Sequence, residues 1–215
     1  DGKARDALAH AIALAPQAWE DHAITLRQFR LLAGAGHADA GWLDAFRPPP
    51  VQFYGGLIGI AADDELARQT IARAIGEGAP CLAYGALAAG TDILAAEALL
   101  AAGTELHVVL PAGCDVFRAR SVIACDPAWG KRFDRCLDAA TSLTVLPGSG
   151  ELTGDAVAMA GEIAMGLAIG KALELETEAI GLRIFAPRNG SSSMAHLWDR
   201  WRTAGKAVRA VPLER

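Results

Sequence analysis

Four cysteines are scattered through the 215 residues, and no two of them stand as CxxC. None has a histidine at zinc-finger spacing, so a structural zinc site is excluded. Cys81, Cys114, Cys125 and Cys136 read instead as small core residues of a protein in a reducing cytoplasm. Basic residues are few as well: 20 Lys and Arg stand against 25 Asp and Glu, for a net charge of −5 and a pI of about 5.5. That argues against a nucleic-acid backbone as the main partner, because neutralising its phosphates takes clustered Lys and Arg. One small phosphorylated ligand stays open, since backbone amides and one or two basic groups suffice to hold it. Long apolar runs are lacking too. The clean stretch 163–170 is far short of the ~20 residues of a membrane span, and no signal peptide is visible. Neither HExxH nor a Ser–His–Asp order occurs, and the five histidines are dispersed. His107 falls inside a strand, as a core or sheet-face residue. No pattern here requires a metal or a cofactor.

Alanine is abundant, at 46 residues, and favours helix without indicating a chemistry. Hydrophobic residues at 52% and charged residues at 21% exclude intrinsic disorder. A chain of this length buries about 70% of its unfolded surface and needs no staple.

The first 47 residues carry helical periodicity only. Residues 3–14 place Leu8 and Ile12 on one face before Pro16, and residues 17–32 carry Trp19, Ile24, Phe29 and Leu32. A short third helix is predicted over 38–46. Pro48, Pro49 and Pro50 then form a stiff extended hinge, which divides the chain into 1–47 and 48–215. The segment ARDALAHAIALAP resembles the second helix of a tetratricopeptide repeat. Such units stack on neighbours, which implies that the chain starts inside a longer protein. Trp19, Phe29, Trp42 and Phe46 then serve a protein partner, or they pack against the following domain.

From Val51 onward strand and helix alternate. Strands are predicted over 51–60, 81–84, 105–110, 143–146, 180–185 and 207–211. Helices are predicted over 64–75, 90–102, 127–140, 155–175 and 192–204. The helix at 155–175 is apolar all round and reads as a central, buried one. Alternation of this kind means an α/β fold: a Rossmann-like, three-layer, doubly wound, mainly parallel sheet, here behind a short all-helical segment. Ligands of such sheets sit at the carboxyl ends of the strands, near a switch in strand order.

The strand-end loops are therefore the candidate sites. Gly55 and Gly56 let a ligand approach the backbone, or mark a bulge. The run Gly85-Ala86-Leu87-Ala88-Ala89-Gly90-Thr91-Asp92 joins a strand to a helix start whose free amides suit a phosphate. It has neither GxGxxG nor a Walker lysine, and Thr91 or Asp92 is equally a helix cap. Arg118 and Arg120 are candidate anion partners, or surface arginines. The stretch 147–155 ends in Thr153, Gly154 and Asp155 before a helix. Residues 189–193, Asn-Gly-Ser-Ser-Ser, precede another. Glu97, Glu151 and Glu162 are the weak catalytic candidates.

The segment YGALAAGTDILAAEALLAAGTELHVVLPAG resembles the core of the SLOG superfamily. That superfamily unites the DNA-processing proteins of natural transformation with the Lonely Guy phosphoribohydrolases. The matching positions are Gly85, Gly90 and Asp92, followed by the strand ELHVVLP. A bacterial branch with tetratricopeptide-like helices in front is more similar still. It shares the loop and strand of 85–111, an FxxxSV segment at Phe117, Ser121 and Val122, a helix like AMGLALL at 164–169, and WRxxG at Trp201, Arg202 and Gly205.

The resemblance spans roughly 51–211 and implies a nucleotide-like ligand near Gly55, Gly56, Gly85, Ala86, Gly90, Thr91, Asp92, Arg118, Ser121, Thr153, Gly154 and Asp155. Loop amides would hold phosphate, and Asp92 would meet a ribose hydroxyl. The phosphoribohydrolase pattern PGGxGTxxE is absent, and Glu162 stands in the wrong register for it. The expectation is thus a cytoplasmic sensor module of a signalling or defence protein, without membrane or nucleic acid, and with pairing of copies open. Hydrolysis of a nucleotide N-glycosidic bond, or a scaffold with a degenerate pocket, is the alternative.

Overall fold

A computed structural model describes residues 2–147, 151–187 and 195–213. Gly148, Ser149 and Gly150 lie outside them, as do the residues of the Asn189–Ser193 loop.

Six strands form one parallel sheet: β1 (Val51–Gly55), β2 (Leu82–Gly85), β3 (Glu105–Leu110), β4 (Ser142–Val145), β5 (Ala179–Phe185) and β6 (Ala207–Pro212). Their order is β4-β3-β2-β1-β5-β6. The chain walks outward from β1 to β4 and then returns to the other side of β1, so strand order switches between β1 and β5. The expected doubly wound α/β architecture is observed, with helices on both faces and helices α1 (Gly2–Leu14) and α2 (Trp19–Ala35) in front.

Side chains alternate between the faces with the period of two that a pleated strand imposes. Tyr54, Ala83, Leu106, Val108 and Leu182 point to one side. There they meet Ile71 and Ile75 of α3 (Glu65–Gly78), Ile93 and Leu99 of α4 (Thr91–Ala101), and Phe133 beyond them. Val51, Phe53, Tyr84 and Val109 point to the other.

Two further helices follow in chain order: a single turn, α5 (Cys114–Phe117), and α6 (Gly130–Asp138), which carries Phe133. The second face is covered by α7 (Gly154–Glu174) and α8 (Ala195–Thr203). Ala160, Ala164, Ala168 and Ala172 of α7 recur every fourth residue and are buried on the sheet. Methyl groups at that spacing make a narrow seam and let the helix lie close to the strands.

The sequence expectation of a wholly buried helix here is corrected. Only the alanine seam is buried, while Met159 at 53% and Leu173 at 67% exposure face outward. One layer of helix covers this face, so among the described residues these side chains on its far side face solvent. The full helix is also long and apolar enough, by length and composition alone, to cross a membrane, unlike its central eight residues.

Local chemistry sets the helix ends. Asp64 accepts from the amide of Ala67 at 2.9 Å, and Thr153 from that of Ala156 at 3.2 Å, as N-caps do. Three predicted elements differ. The first strand stops at Gly55 rather than running to residue 60, because the next amides bond to side chains of α4 instead of a ladder. The helix predicted over 38–46 is a 3₁₀ turn, Gly41–Phe46. The stretch after β3, read as a loop, coils through α5 into a π-helical turn, Arg118–Ile123.

The N-terminal helices have a small core of their own in Leu8, Leu26 and Leu43, with Phe29, Trp42 and Phe46 against it. They also pack on the α/β part. Ala23 and Trp19 join the α7-side core, Arg27 and Arg30 meet Glu176, and Lys171 donates to Glu20 at 2.6 Å.

Gly181, in β5, lies under two tryptophans of α8. A Cβ added there would sit 2.8 Å from Trp198 and 2.9 Å from Trp201 Nε1, which itself donates to Ala207 O at 2.8 Å. Gly181→Ala is expected to lower stability by about 1–3 kcal/mol through overpacking, read as a lower urea midpoint with an unchanged slope.

Candidate functional site

Beyond the carboxyl ends of β1, β2 and β3 lies a cavity of about 300 Å³. It is beside the switch point, where the fold places ligands. Its walls come from the turn after β1 (Gly56, Leu57, Ile58), the turn after β2 (Gly85, Ala86, Ala88), and the ends of β3 and α5 (Val109, Pro111, Phe117). The small-residue side of α7 closes it with Val157, Ala160, Gly161 and Ala164, and Asp92 and Ser121 supply side-chain polar groups.

Steric necessity explains the glycines. A Cβ on Gly56 would stand 2.2 Å from Thr91 Oγ1, and one on Gly85 would enter the Tyr54 ring at 2.5 Å. Tyr54 is buried below the cavity and donates from its hydroxyl to Ala86 O at 3.0 Å. Gly90 has a φ of +106°, and its Cβ would lie 2.5 Å from Leu57 O.

The turn after β1 and the start of α4 are tied together. Thr91 is fully buried; its Oγ1 accepts from Leu57 N at 2.6 Å and donates to Leu57 O at 3.3 Å. Thr91 N also donates to Leu57 O, at 3.0 Å. Gly56 N donates to Asp92 Oδ1 at 3.2 Å. Across the cavity, Ala89 N donates to Ser121 O at 2.9 Å.

Asp92 is half-buried, with its carboxylate enclosed by protein on the sheet side. Burial pushes its pKa up to about 7, although the amides of Gly56 and Ala88 pull in the other direction. Burial wins because two neutral donors replace only part of the lost hydration of a full charge.

The structure brings Gly56, Gly85, Ala86, Asp92 and Ser121 together around the cavity, and sets Gly90 and Thr91 directly behind it. Gly55 is the last residue of β1 and lies in the sheet. Arg118 does not line the cavity; its guanidinium grips Asp134 at 2.7 and 2.8 Å. Thr153 caps α7, and Gly154 and Asp155 follow it in the exposed first turn. None of the glutamates lines the cavity. Glu97 is bound by Arg132, whose Nε donates to it at 2.8 Å, Glu162 is bound by Arg200 at 2.7 Å, and Glu151 is exposed.

His107 stacks on Tyr84, with ring centroids 4.6 Å apart, and shares a 2.7 Å hydrogen bond with Ser142. Cys81 and Cys136 are buried, with pKa values pushed up to about 12, whereas Cys125 is exposed. Among the described residues no cluster of three or more His, Cys, Asp or Glu is placed to hold a metal.

The α7 wall and the Leu57–Ile58 lip were missed in the sequence. The only available signal for that wall was the spacing of Ala160, Gly161 and Ala164, which reads equally as packing.

Among solved structures the chain matches the X-ray structure of DNA processing protein A from Streptococcus pneumoniae. Identity is 17% with a TM-score of 0.39, over 78% of this chain. The chain spans 60% of the length of that structure. No family model matches the chain, and no curated protein matches it.

Gly90→Ala is expected to cost about 2–3 kcal/mol, since both the positive φ and the contact with Leu57 O oppose a side chain. Gly90 is buried, so Gly90→Asp should cost more than Gly90→Ala, because it adds a charge at the same crowded position. Asp92 also makes stability pH-dependent. Its folded pKa of about 7 exceeds the ordinary 3.8, so between those values the folded chain holds more protons than the unfolded one. Stability therefore falls as pH rises from about 4 to 7. Asp92→Asn should remove that slope and raise stability at pH 8 by about 1–3 kcal/mol, the opening to the cavity reducing the full effect. Urea midpoints of both proteins at pH 5 and pH 8 check it. An unchanged slope in Asp92→Asn would show that the carboxylate ionises freely.

Proposed function

We propose that the chain is a SLOG-like module that binds a nucleotide-derived small molecule in this cavity, as a sensor within a larger signalling or defence protein. One observation carries the reading. Asp92, at the first turn of α4, presents a carboxylate into a mostly apolar cavity at the carboxyl ends of the central parallel strands. An acceptor in that position suits the vicinal hydroxyls of a ribose, and apolar walls suit a heterocycle. The volume, about 300 Å³, is at the small end of ligand pockets and matches one nucleoside rather than a dinucleotide. The glutamates that the sequence offered for catalysis are held by arginines or exposed, which favours binding over turnover.

A second reading, cleavage of an N-glycosidic bond, is favoured by the pKa of Asp92, which suits a general acid at neutral pH. Its proton would pass to the departing base as C1′–N breaks, and the carboxylate left behind would take up the proton that water releases as it adds to C1′. Free base released from a nucleotide, and lost in Asp92→Asn, would establish that reading over the sensor.

Tryptophan fluorescence or thermal shift with purine and pyrimidine nucleosides, nucleotides and NAD derivatives tests the binding proposal. A true ligand at 100 times its Kd adds about 2.7 kcal/mol of stability. Asp92→Ala should weaken that ligand tenfold or more while the protein stays folded. Absence of any shift across the panel would overturn the proposal.

A further inference from the structure

Four backbone amides around the start of α4 are already bonded within the protein. Gly56 N donates to Asp92, Leu57 N to Thr91 Oγ1, Ala89 N to Ser121 O and Thr91 N to Leu57 O. The chain supplies its own anion at this helix start, the Asp92 carboxylate, where the helix dipole favours negative charge. A phosphate entering the cavity would meet that carboxylate and no free donor among those four amides. No Lys, Arg or His lines the cavity among the described residues, and Arg118 is turned to Asp134. Most of the wall is apolar, from Leu57 and Val109 to Val157 and Ala164.

An unpaired phosphate in such surroundings loses its hydration without compensation. A neutral group with hydroxyl or amino donors instead finds an acceptor in Asp92 and a two-way partner in the Ser121 hydroxyl.

We infer that the cavity takes the unphosphorylated, donor-bearing part of its ligand, a ribonucleoside, and discriminates against a phosphate. The inference rests on the nucleotide-derived ligand argued above and narrows it. A site built to accept from a hydroxyl also rejects an analogue lacking it, so ribose should be favoured over 2′-deoxyribose or its 3′-deoxy counterpart.

The test is isothermal titration of the whole chain at pH 8 with ribonucleosides, their deoxy analogues and their 5′-monophosphates, with inorganic phosphate as a competitor. The best nucleoside should bind at least as tightly as its monophosphate. A deoxy analogue should bind at least tenfold more weakly, and 10 mM inorganic phosphate should leave the affinity unchanged. Val157→Lys is the complementary variant. Val157 is at the cavity wall and partly exposed, so a lysine there folds and should shift preference toward the monophosphate tenfold or more. A monophosphate bound tenfold more tightly than its nucleoside by the unaltered chain, or competition by phosphate, would overturn the inference and leave the nucleotide reading standing. No binding of nucleosides or nucleotides would overturn both.

Discussion

The hydrogen-bonded latch between the end of β1 and the start of α4 is the constraint on which the site depends. Thr91, without any exposed surface, satisfies both the amide and the carbonyl of Leu57, and Asp92 takes the amide of Gly56. Each buried bond contributes about 1 kcal/mol net, but leaving one partner unmet costs about 1–3 kcal/mol. The strand ends where it does because these amides have better partners than a ladder. The same contacts leave no space for a Cβ on Gly56 or Gly90. Three features that look independent in the sequence are therefore one: a short strand, glycines without room for a side chain, and a polar pair opening a helix.

The abundance of alanine acquires a definite meaning on the opposite wall. Residues 160, 164, 168 and 172 of α7 put methyl groups on the strands, which brings the helix close along most of its length. Near its N-terminal end the same small residues, Ala160, Gly161 and Ala164, face the cavity and leave it open. Gly161 has a further reason for lacking a side chain, since a Cβ would come within 2.4 Å of Leu197 of α8. Large residues on that edge would fill the cavity, and large residues on the seam would lift the helix off the sheet. Packing and cavity thus draw on one compositional choice.

The fold was legible because it rests on local periodicity: strand and helix alternate with lengths and breakers that survive without knowledge of neighbours. The site was legible only in part. Gly56, Gly85, Ala86 and Asp92 could be named because strand-end loops with small residues are where such sheets place ligands, and Ser121 only through the resemblance of the FxxxSV segment. The fate of the charged candidates could not. Arg118 pairs with Asp134 sixteen residues on, Glu97 with Arg132 thirty-five residues on, and Glu162 with Arg200 thirty-eight residues on. These pairings depend on how helices face each other, which spacing along the chain does not encode. The burial of α7 was misjudged for a related reason. An apolar circumference reads as burial on all sides, whereas the sheet covers only one side of it.

Asp92 has an energetic oddity that bears on function. Gly90, not Asp92, is the N-cap of α4; from the first turn Asp92 gains about 0.3–1 kcal/mol from the helix dipole, together with two amide bonds from outside the helix. Burial nonetheless outweighs those gains, since its pKa stands above the ordinary carboxylate range rather than below it. Thr91 already satisfies the neighbouring backbone, and a neutral Asn could take the Gly56 amide without a buried charge. The carboxylate is thus not the most stable solution for the helix start considered alone. Its destabilisation is local, directed toward a cavity, and of the kind that a ligand's hydroxyl or amino donor relieves by completing the hydrogen bonding of the charge. Binding energy would then come from the same residue whose desolvation the empty fold tolerates, which couples ligand occupancy to the stability of the β1–α4 junction.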